Sequence, residues 1–172
     1  IYMCIDGMIS IAESICAQMT IVDPENVGLY QRNLESAKER LNALSAEMHE
    51  IAGEIEGREA VIMNEALTYI ANEYDLNVVY SVDRDSGEAF RDTELRDCIE
   101  SLAPYRGAVL LIEKQAPETF VEALRGAGFT VALLDVLSTH SAQDGADGYF
   151  DAQRFNAQSL AEAYQKKQES ET

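Results

Sequence analysis

The chain has 172 residues, of which 47% are hydrophobic and 26% charged, and 13 Lys and Arg stand against 31 Asp and Glu. The length suits one ordinary domain with enough chain to bury a core. The composition excludes disorder and disulfide-stapled miniproteins. The net charge of −18 excludes nucleic-acid binding and an anionic membrane surface as partners, because both require a basic face. A protein that handles cations is compatible with this charge.

Cysteine usage and hydropathy exclude two further classes. Cys4, Cys16 and Cys98 are odd in number and share no C-x-x-C spacing, so they predict neither a disulfide framework nor a zinc knuckle. We expect each to pack in a core as a small apolar side chain. No stretch approaches the roughly 18 apolar residues of a membrane span. The start of the chain lacks the basic flank of a signal peptide, so we expect a fragment or a product of processing.

Two helices are predicted in the first third of the chain. Apolar residues recur at helical spacing over 8–19, which predicts a helix with a single buried stripe. Asp23-Pro24-Glu25 is typical of a helix start, since aspartate can cap free amides and proline suits the first helical position. Over 30–55 apolar residues alternate in steps of four and three, which predicts one long helix broken near Gly53 or Gly57. A coiled-coil dimer would show the same stripe, but we favour a helix lying across its own domain.

Beyond Gly57 the pattern changes to alternating strands and helices. The predicted strands are 60–63, 77–82, 108–112 and 129–134. The predicted helices are 64–74, about 92–102, one from 117 that closes at Gly126 or Gly128, and about 149–167. Polar loops are expected at 83–90 and 138–148. This alternation predicts a three-layer α/β sandwich with a four-stranded, mostly parallel sheet, preceded by a long linking helix. We divide the chain into N-terminal helices, 1–57, and an α/β lobe, 58–172.

Polar side chains follow each predicted strand, where the ligands of open parallel sheets bind. These residues are Asn64 and Glu65, Ser81 and Asp83, Glu113, and Asp135. Three or four oxygen ligands converging on one edge would suit a divalent cation. The alternative for each residue is a helix cap or a solvated acid. His140, in the loop after the fourth strand, is a candidate ligand or base, or else a solvated loop histidine.

Enzyme motifs are scarce in this sequence. It contains no G-x-S-x-G, P-loop or G-x-G-x-x-G motif, and Gly126-Ala127-Gly128 lacks the third glycine and follows a helix. His49 lies in the long helix, where we expect it to be exposed. No Cys/His or Ser/His arrangement supports nucleophilic catalysis. We therefore expect no enzyme.

Five motifs occur in order over nearly the whole chain and resemble those of one family. They are Asp23-Pro24-Glu25-Asn26 with Tyr30 and Asn33 (DPxN…Y..N), Ala66…Tyr69…Tyr74-Asp75-Leu76 (H/E-x-A…Y…YGL), Glu113-Lys114-Gln115 (EPQ), Leu134-Asp135-Val136-Leu137 (LDPL), and Gly148-Tyr149-Phe150 with Phe155-Asn156 (GYxxxMxxN). By these motifs the chain resembles the C-terminal half of the zinc and manganese receptors of ABC transporters. In that family a long rigid helix joins two lobes.

The resemblance implies a receptor that holds one zinc or manganese ion, its transported substrate, between the lobes. The first lobe usually gives two histidines, and the second gives one His or Glu and often one Asp or Glu. Asp135 resembles a ligand position, whereas Asn64 stands where the family has His or Glu. A neutral amide is a poorer zinc ligand than imidazole or carboxylate. Glu65 is the adjacent carboxylate, and His140 could compensate from its loop.

The resemblance also implies partners that this chain does not contain. Tyr2-Met3-Cys4-Ile5-Asp6 stands in place of the family's WLSPE, so the whole first lobe is expected to be missing. The expected partners are a divalent metal ion, that N-terminal lobe and an ABC permease in the membrane. The fragment could also form a homodimer. The full-length protein is expected to be extracellular or periplasmic and anchored to the membrane.

Two other interpretations stay open at this point. A degenerate family member would lack metal binding and act as a protein-interaction or other ligand-binding module, which the Asn64 departure supports. An unrelated α/β enzyme with acid/base carboxylates is the third interpretation. It has the least support, because no nucleophile or cofactor loop accompanies the acids.

Overall fold

The computed structural model describes residues 2–82, 92–137 and 145–170. A sheet of four parallel strands lies at the centre, in the order β2-β1-β3-β4. The strands are β1 (Glu59–Ile62), β2 (Asn77–Ser81), β3 (Val109–Glu113) and β4 (Thr130–Leu134). Each lies within one residue of its predicted position. The predicted four-stranded parallel sheet is therefore confirmed.

Helices pack around this sheet and precede it. Those in the described residues are α1 (Ile5–Val22), α2 (Val27–Ala52), α3 (Thr68–Glu73), α4 (Asp92–Leu102), α5 (Glu118–Gly126) and α6 (Gly145–Ser170). α3 is shorter than predicted, because Glu65–Leu67 forms a separate 3-10 turn before it. α6 is longer at both ends than predicted, since Gly148 lies inside the helix and not in a loop.

Helices cover both faces of the sheet, which gives three layers. Ile62 and Leu111 face one core, and Val61 and Leu110, their neighbours in the chain, face the other. This alternation follows from the two-residue period of a strand. The first core is closed by helix residues including Met48, Ile70 and Leu160. The second is closed by residues including Leu102, Phe120 and Leu124, so the predicted three-layer α/β sandwich is confirmed.

The strand order creates a switch point at one edge of the sheet. The chain leaves β1 toward β2 and then returns past it to β3, so the carboxyl ends of β1 and β3 flank a crevice in which such sheets bind ligands. Beside this crevice, the ladder between β3 and β4 extends beyond the ends of the strands. The Lys114 N–H donates to the Leu134 carbonyl at 2.8 Å. Lys114 and Asp135 are thereby placed side by side at this edge.

α1 and α2 form a helical hairpin, and α2 runs on into the domain. Leu41, Leu44 and Met48, in the C-terminal half of the predicted stripe, are buried and belong to the first core. The helix ends at Ala52, before Gly53 at φ 68°. The C-terminal half of the long helix therefore packs within its own chain, as we favoured from the sequence.

The turn between α1 and α2 is closed by side chains. Asp23 makes no side-chain cap, contrary to our expectation. Its Oδ2 instead accepts from the Tyr30 hydroxyl at 2.6 Å and from Asn26 Nδ2 at 2.8 Å. These hydrogen bonds, that from Tyr30 first, lower the pKa of the Asp23 carboxyl. The DPxN…Y motif is thus a local side-chain network.

α1 is far more exposed than its apolar pattern predicted. Ile15 and Met19, which were expected in a buried stripe, are 58% and 40% exposed, and Ile21 and Val22 are exposed as well. The reason is that α1 packs chiefly on α2, so only one side of it is covered. By length and composition alone α1 is also apolar enough to cross a membrane, which corrects the expectation of no such segment. Core helices and signal sequences meet the same criterion.

The three cysteines are less buried than expected. Cys4, Cys16 and Cys98 are half-buried, and none of them forms a disulfide. Cys98 packs against the second core from α4. Of the three cysteines, Cys98 comes nearest to the core position that we expected, because the inner face of α4 packs on the second core.

Candidate functional site

Asp135, directly after β4, is the most buried of the predicted site residues that the structure describes, with 2% of its surface exposed. Its Oδ1 accepts from the Leu137 N–H at 2.8 Å. Leu137 adopts a left-handed conformation at φ 59°, which a β-carbon disfavours. The carboxylate thus holds a tight turn at the carboxyl edge of the sheet.

Asn156 of α6 fixes the main chain of the same turn. It is fully buried; its Oδ1 accepts from the Asp135 N–H at 2.7 Å and its Nδ2 donates to the Asp135 carbonyl at 3.0 Å. The Tyr2 hydroxyl donates to the Val136 carbonyl at 3.3 Å. Because these contacts come from distant parts of the chain, the position of Asp135 is set by the tertiary fold.

A lysine already neutralises the Asp135 carboxylate. Lys114 Nζ donates to Asp135 Oδ2, and the two side chains are 41% and 2% exposed. The same ammonium lies 5.5 Å from the centroid of the Phe155 ring, within the range of a cation–π contact. The group that a metal ion would approach is therefore paired with a cation of this chain.

A shallow cleft of about 390 Å³ opens beside this pair. It is lined by Lys114, Asp135, Asp147, Gly148, Asp151, Ala152 and Phe155. Each of the three carboxylates in this lining lies beside a cation of the chain. Asp135 is paired with Lys114, Asp147 lies 3.9 Å from Arg40, and Asp151 lies 3.3 Å from Arg154.

Asn64 and Glu65 lie apart from this cleft. Asn64 Oδ1 accepts from the Ala66 N–H at 2.8 Å and caps the 3-10 turn, so the helix-cap interpretation of Asn64 is confirmed. Glu65 is exposed and lines a second cleft of about 750 Å³ together with Ser81. The structure therefore places the two predicted carboxylates, Glu65 and Asp135, in different clefts.

The remaining candidates do not complete a site in the described part of the chain. Glu113 is half-buried at the end of β3, and burial raises the pKa of its carboxyl. Asp83 and His140 lie outside the described residues. His49 is exposed, as expected, with Nε2 3.8 Å from Glu73 Oε1. Within 2–82, 92–137 and 145–170, no three His, Cys, Asp or Glu side chains lie close enough together to hold a metal ion.

Two residues that shape the site received no role from the sequence. Lys114 was visible as a departure, because Glu113-Lys114-Gln115 carries lysine where the EPQ motif has proline. Asn156 was visible as the last residue of the GYxxxMxxN motif. In neither case did the pattern name the partner, since both contact Asp135 across 21 positions of the chain.

Known proteins with similar sequences are metal receptors of transporters. The metal ABC transporter substrate-binding lipoprotein ScbA of Streptococcus cristatus is 21% identical over 159 residues, which cover 90% of this chain and 51% of that protein. The manganese ABC transporter substrate-binding lipoprotein PsaA of Streptococcus anginosus is 21% identical over 165 residues, 94% of this chain and 53% of that protein. The chain thus spans about half the length of these relatives.

Solved structures share the fold over nearly the whole chain. The substrate-binding protein FpvC from Pseudomonas aeruginosa, in complex with Mn²⁺, superposes with a TM-score of 0.80 at 22% identity, covering 95% of this chain and 62% of that one. The Zn(II)-bound ZnuA-like domain of Streptococcus pneumoniae AdcA gives a TM-score of 0.73 at 19% identity, with coverage of 95% and 62%.

A match to a family model identifies the family of this chain on stronger grounds than these pairwise similarities. The model described as ZnuA, zinc-uptake complex component A, periplasmic, matches residues 1–163. This range contains the whole sheet, Asp135, and the two residues that hold Asp135 in place, which are Lys114 and Asn156. The chain belongs to the family of zinc-uptake complex component A.

Proposed function

We propose that this chain is the C-terminal lobe of a substrate-binding receptor for zinc or manganese, serving an ABC importer. The observation that carries the proposal is the buried Asp135 carboxylate, fixed at the carboxyl edge of a doubly wound sheet in a chain of this family. Such an edge is where open α/β sheets bind ligands. The function is capture and release of an ion, and no catalytic step is required of any residue.

Asp135 is the central ligand in this proposal. The further candidates are Asn64, Glu65 and His140. Of these, Glu65 lines the second cleft and in this proposal has to approach Asp135 when the ion binds. The amide oxygen of Asn64 has a second lone pair beside the one that accepts from Ala66, so capping leaves it able to contact an ion. Among the ligands that this chain contributes, oxygens alone favour manganese, whereas inclusion of the His140 imidazole favours zinc.

An N-terminal lobe supplies the other ligands in this proposal. The relatives are about twice as long as this chain. The exposed apolar side chains of α1 and the start of α2, among them Ile15, Ile21, Val22 and Leu29, form a surface of the kind that marks an interface. In the proposal 1–57 links the lobes, 58–172 forms the second lobe, and the missing lobe covers this surface.

The proposed setting is outside the cytoplasm, with the full-length protein anchored to the membrane and delivering its ion to an ABC permease. Support comes from the names of the relatives, which are lipoproteins of metal ABC transporters. The negative charge of the chain is consistent with attraction of cations. The first check is the sequence encoded upstream, where a lipoprotein signal and a histidine-containing lobe are expected.

Calorimetry on the full-length protein with Zn²⁺ and Mn²⁺ tests the proposal directly. The wild-type protein should bind one ion, and Asp135→Ala should weaken that binding roughly tenfold or more, since a charged ligand is lost. Asp97→Ala removes an exposed carboxylate on α4 and should leave the affinity unchanged. Equal affinity of Asp135→Ala and the wild type would remove Asp135 from the site.

A second candidate function is a family member that binds no metal and recognises a protein or another ligand. Two observations favour it: Asn64 is already used as a cap, and Asp135 is already paired with Lys114. Failure of the full-length wild-type protein to bind either metal in calorimetry would select this candidate.

A further inference from the structure

Both oxygens of the Asp135 carboxylate are occupied within the chain. Oδ1 accepts from the Leu137 N–H, and Oδ2 accepts from Lys114 Nζ. A carboxylate with only 2% exposure is costly to bury unless it is paired and hydrogen-bonded. Lys114 therefore supplies the positive charge that the buried Asp135 carboxylate requires.

The placement of Lys114 is built into the fold. The parallel ladder carries its N–H to the Leu134 carbonyl, so its side chain starts next to Asp135. The Phe155 ring on α6 lies below the ammonium, with its centroid 5.5 Å away. The resembling EPQ motif has proline at this position, which carries no charge. This chain thus has a tethered cation where a proline would leave the carboxylate open.

We propose that Lys114 is the counter-cation of Asp135 and lowers the affinity for metal ions, because an ion has to displace its ammonium. This inference rests on the proposed function. A divalent ion binds Asp135 by displacing the ammonium, and the ammonium returns when the ion leaves. With 41% of the Lys114 side chain exposed, solvent adjoins the position that the ammonium would leave. Asp147 and Asp151 line the same cleft but lie beside Arg40 and Arg154 at 3.9 and 3.3 Å, so the released ammonium moves into solvent.

The first test follows Lys114 itself by chemical acetylation and mass spectrometry of the full-length protein. Without metal, Asp135→Asn should raise the acetylation rate of Lys114 several-fold, because the pair is broken. Saturating Mn²⁺ should raise it several-fold in the wild-type protein, since the ion releases the ammonium. Lys38 is the matched control, as it pairs with Glu13 at 2.9 Å on the α1–α2 hairpin and should not respond.

The second test compares affinities by calorimetry with Mn²⁺. Lys114→Gln keeps a hydrogen-bond donor for Asp135 but removes the competing charge, so it should bind the ion at least about tenfold more tightly than the wild type. Adding Asp135→Asn to that variant should abolish the gain. Lys38→Gln also removes one positive charge from an ion pair, that with Glu13 on the α1–α2 hairpin, and should leave the affinity unchanged.

The outcomes separate this inference from the proposed function. If Mn²⁺ binds and depends on Asp135, but Lys114→Gln binds with wild-type affinity and Lys114 acetylation does not change, the counter-cation role is wrong and the receptor function stands. If neither the wild type nor Lys114→Gln binds Mn²⁺ or Zn²⁺, the receptor function itself is wrong, and the counter-cation role is wrong as well.

Discussion

Asn156 and Asp135 hold each other by a reciprocal pair of hydrogen bonds. The Asn156 side chain accepts from the Asp135 N–H at 2.7 Å and donates to the Asp135 carbonyl at 3.0 Å. An amide is the side chain that offers an acceptor and a donor with this spacing. The pair joins the last helix to the end of β4, so the geometry of the site depends on the seating of α6.

Asn156→Ala should therefore destabilise the fold strongly. It leaves the N–H and carbonyl of a buried turn without partners, which costs about 2–3 kcal/mol in the free energy of unfolding. Urea denaturation monitored by circular dichroism measures the loss. Gln158→Ala is the control, because Gln158 bonds to Glu162 on the exposed face of the same helix, and its effect should stay within about 0.5 kcal/mol. Equal midpoints for the two variants would contradict a structural role for Asn156.

The fold was largely predictable because the signals for it are local. Strand runs such as 108–112 and the helical stripe of α2 are readable from spacing alone, and both were confirmed within a few residues. α1 was the exception. A helical pattern shows which face is apolar, but it cannot show whether a partner covers that face. Ile15 is 58% exposed for this reason.

The site was predictable only at the level of strand ends. Asp135 was selected by its position after β4, and the cap by Asn64 was one of two alternatives weighed from the sequence. The pairing of Asp135 with Lys114 was not foreseen. It requires knowing that β3 and β4 are neighbours and in which register, which composition and motifs do not specify.

Glu73 gives the fold a specific pH dependence. Its side chain is 10% exposed and lies 3.8 Å from His49 Nε2, and its Oε2 accepts from the Ile5 N–H at 2.8 Å. Burial raises its pKa above the ordinary 4.5, and Asp6 and Asp75 add to the rise, while the Ile5 N–H and His49 oppose it. The folded state thus binds this proton more tightly than the unfolded state. The stability that this one group contributes is therefore fully present below pH 4.5 and is lost as pH rises through the folded pKa.

Glu73→Gln should remove that loss. The amide keeps an acceptor for the Ile5 N–H but carries no charge to desolvate. Its free energy of unfolding, measured relative to wild type, should increase from below pH 4.5 to neutrality. Glu50→Gln changes an exposed carboxylate on α2 and should show no such trend. A constant difference between Glu73→Gln and wild type over this range would show that the buried carboxylate is not the cause.

Asp75 sits in a left-handed conformation at φ 49°, where the resembling YGL motif has glycine. Its carbonyl accepts from the Gly57 N–H at 2.8 Å, so the backbone conformation is required by the connection. Asp75→Gly should raise the free energy of unfolding by about 0.5–1 kcal/mol, because glycine adopts this region without strain. Asp75→Asn removes the charge but keeps a β-carbon, so it tests the contribution of charge alone. It should change the free energy of unfolding by less than about 0.5 kcal/mol. Thermal unfolding in which both variants gain equally would assign the effect to charge.

The apolar face of α1 should make the chain associate with itself when nothing else covers it. Ile15, Ile21 and Val22 are exposed, and such a patch favours association, although a net charge of −18 opposes it. Sedimentation velocity should show a concentration-dependent dimer. Ile15→Lys should shift it to monomer without unfolding, since Ile15 makes little core contact, whereas Ser36→Lys adds the same charge on α2 and should not. The full-length protein, in which the proposed first lobe covers this face, should remain monomeric, and a monomeric fragment at all concentrations would contradict the prediction.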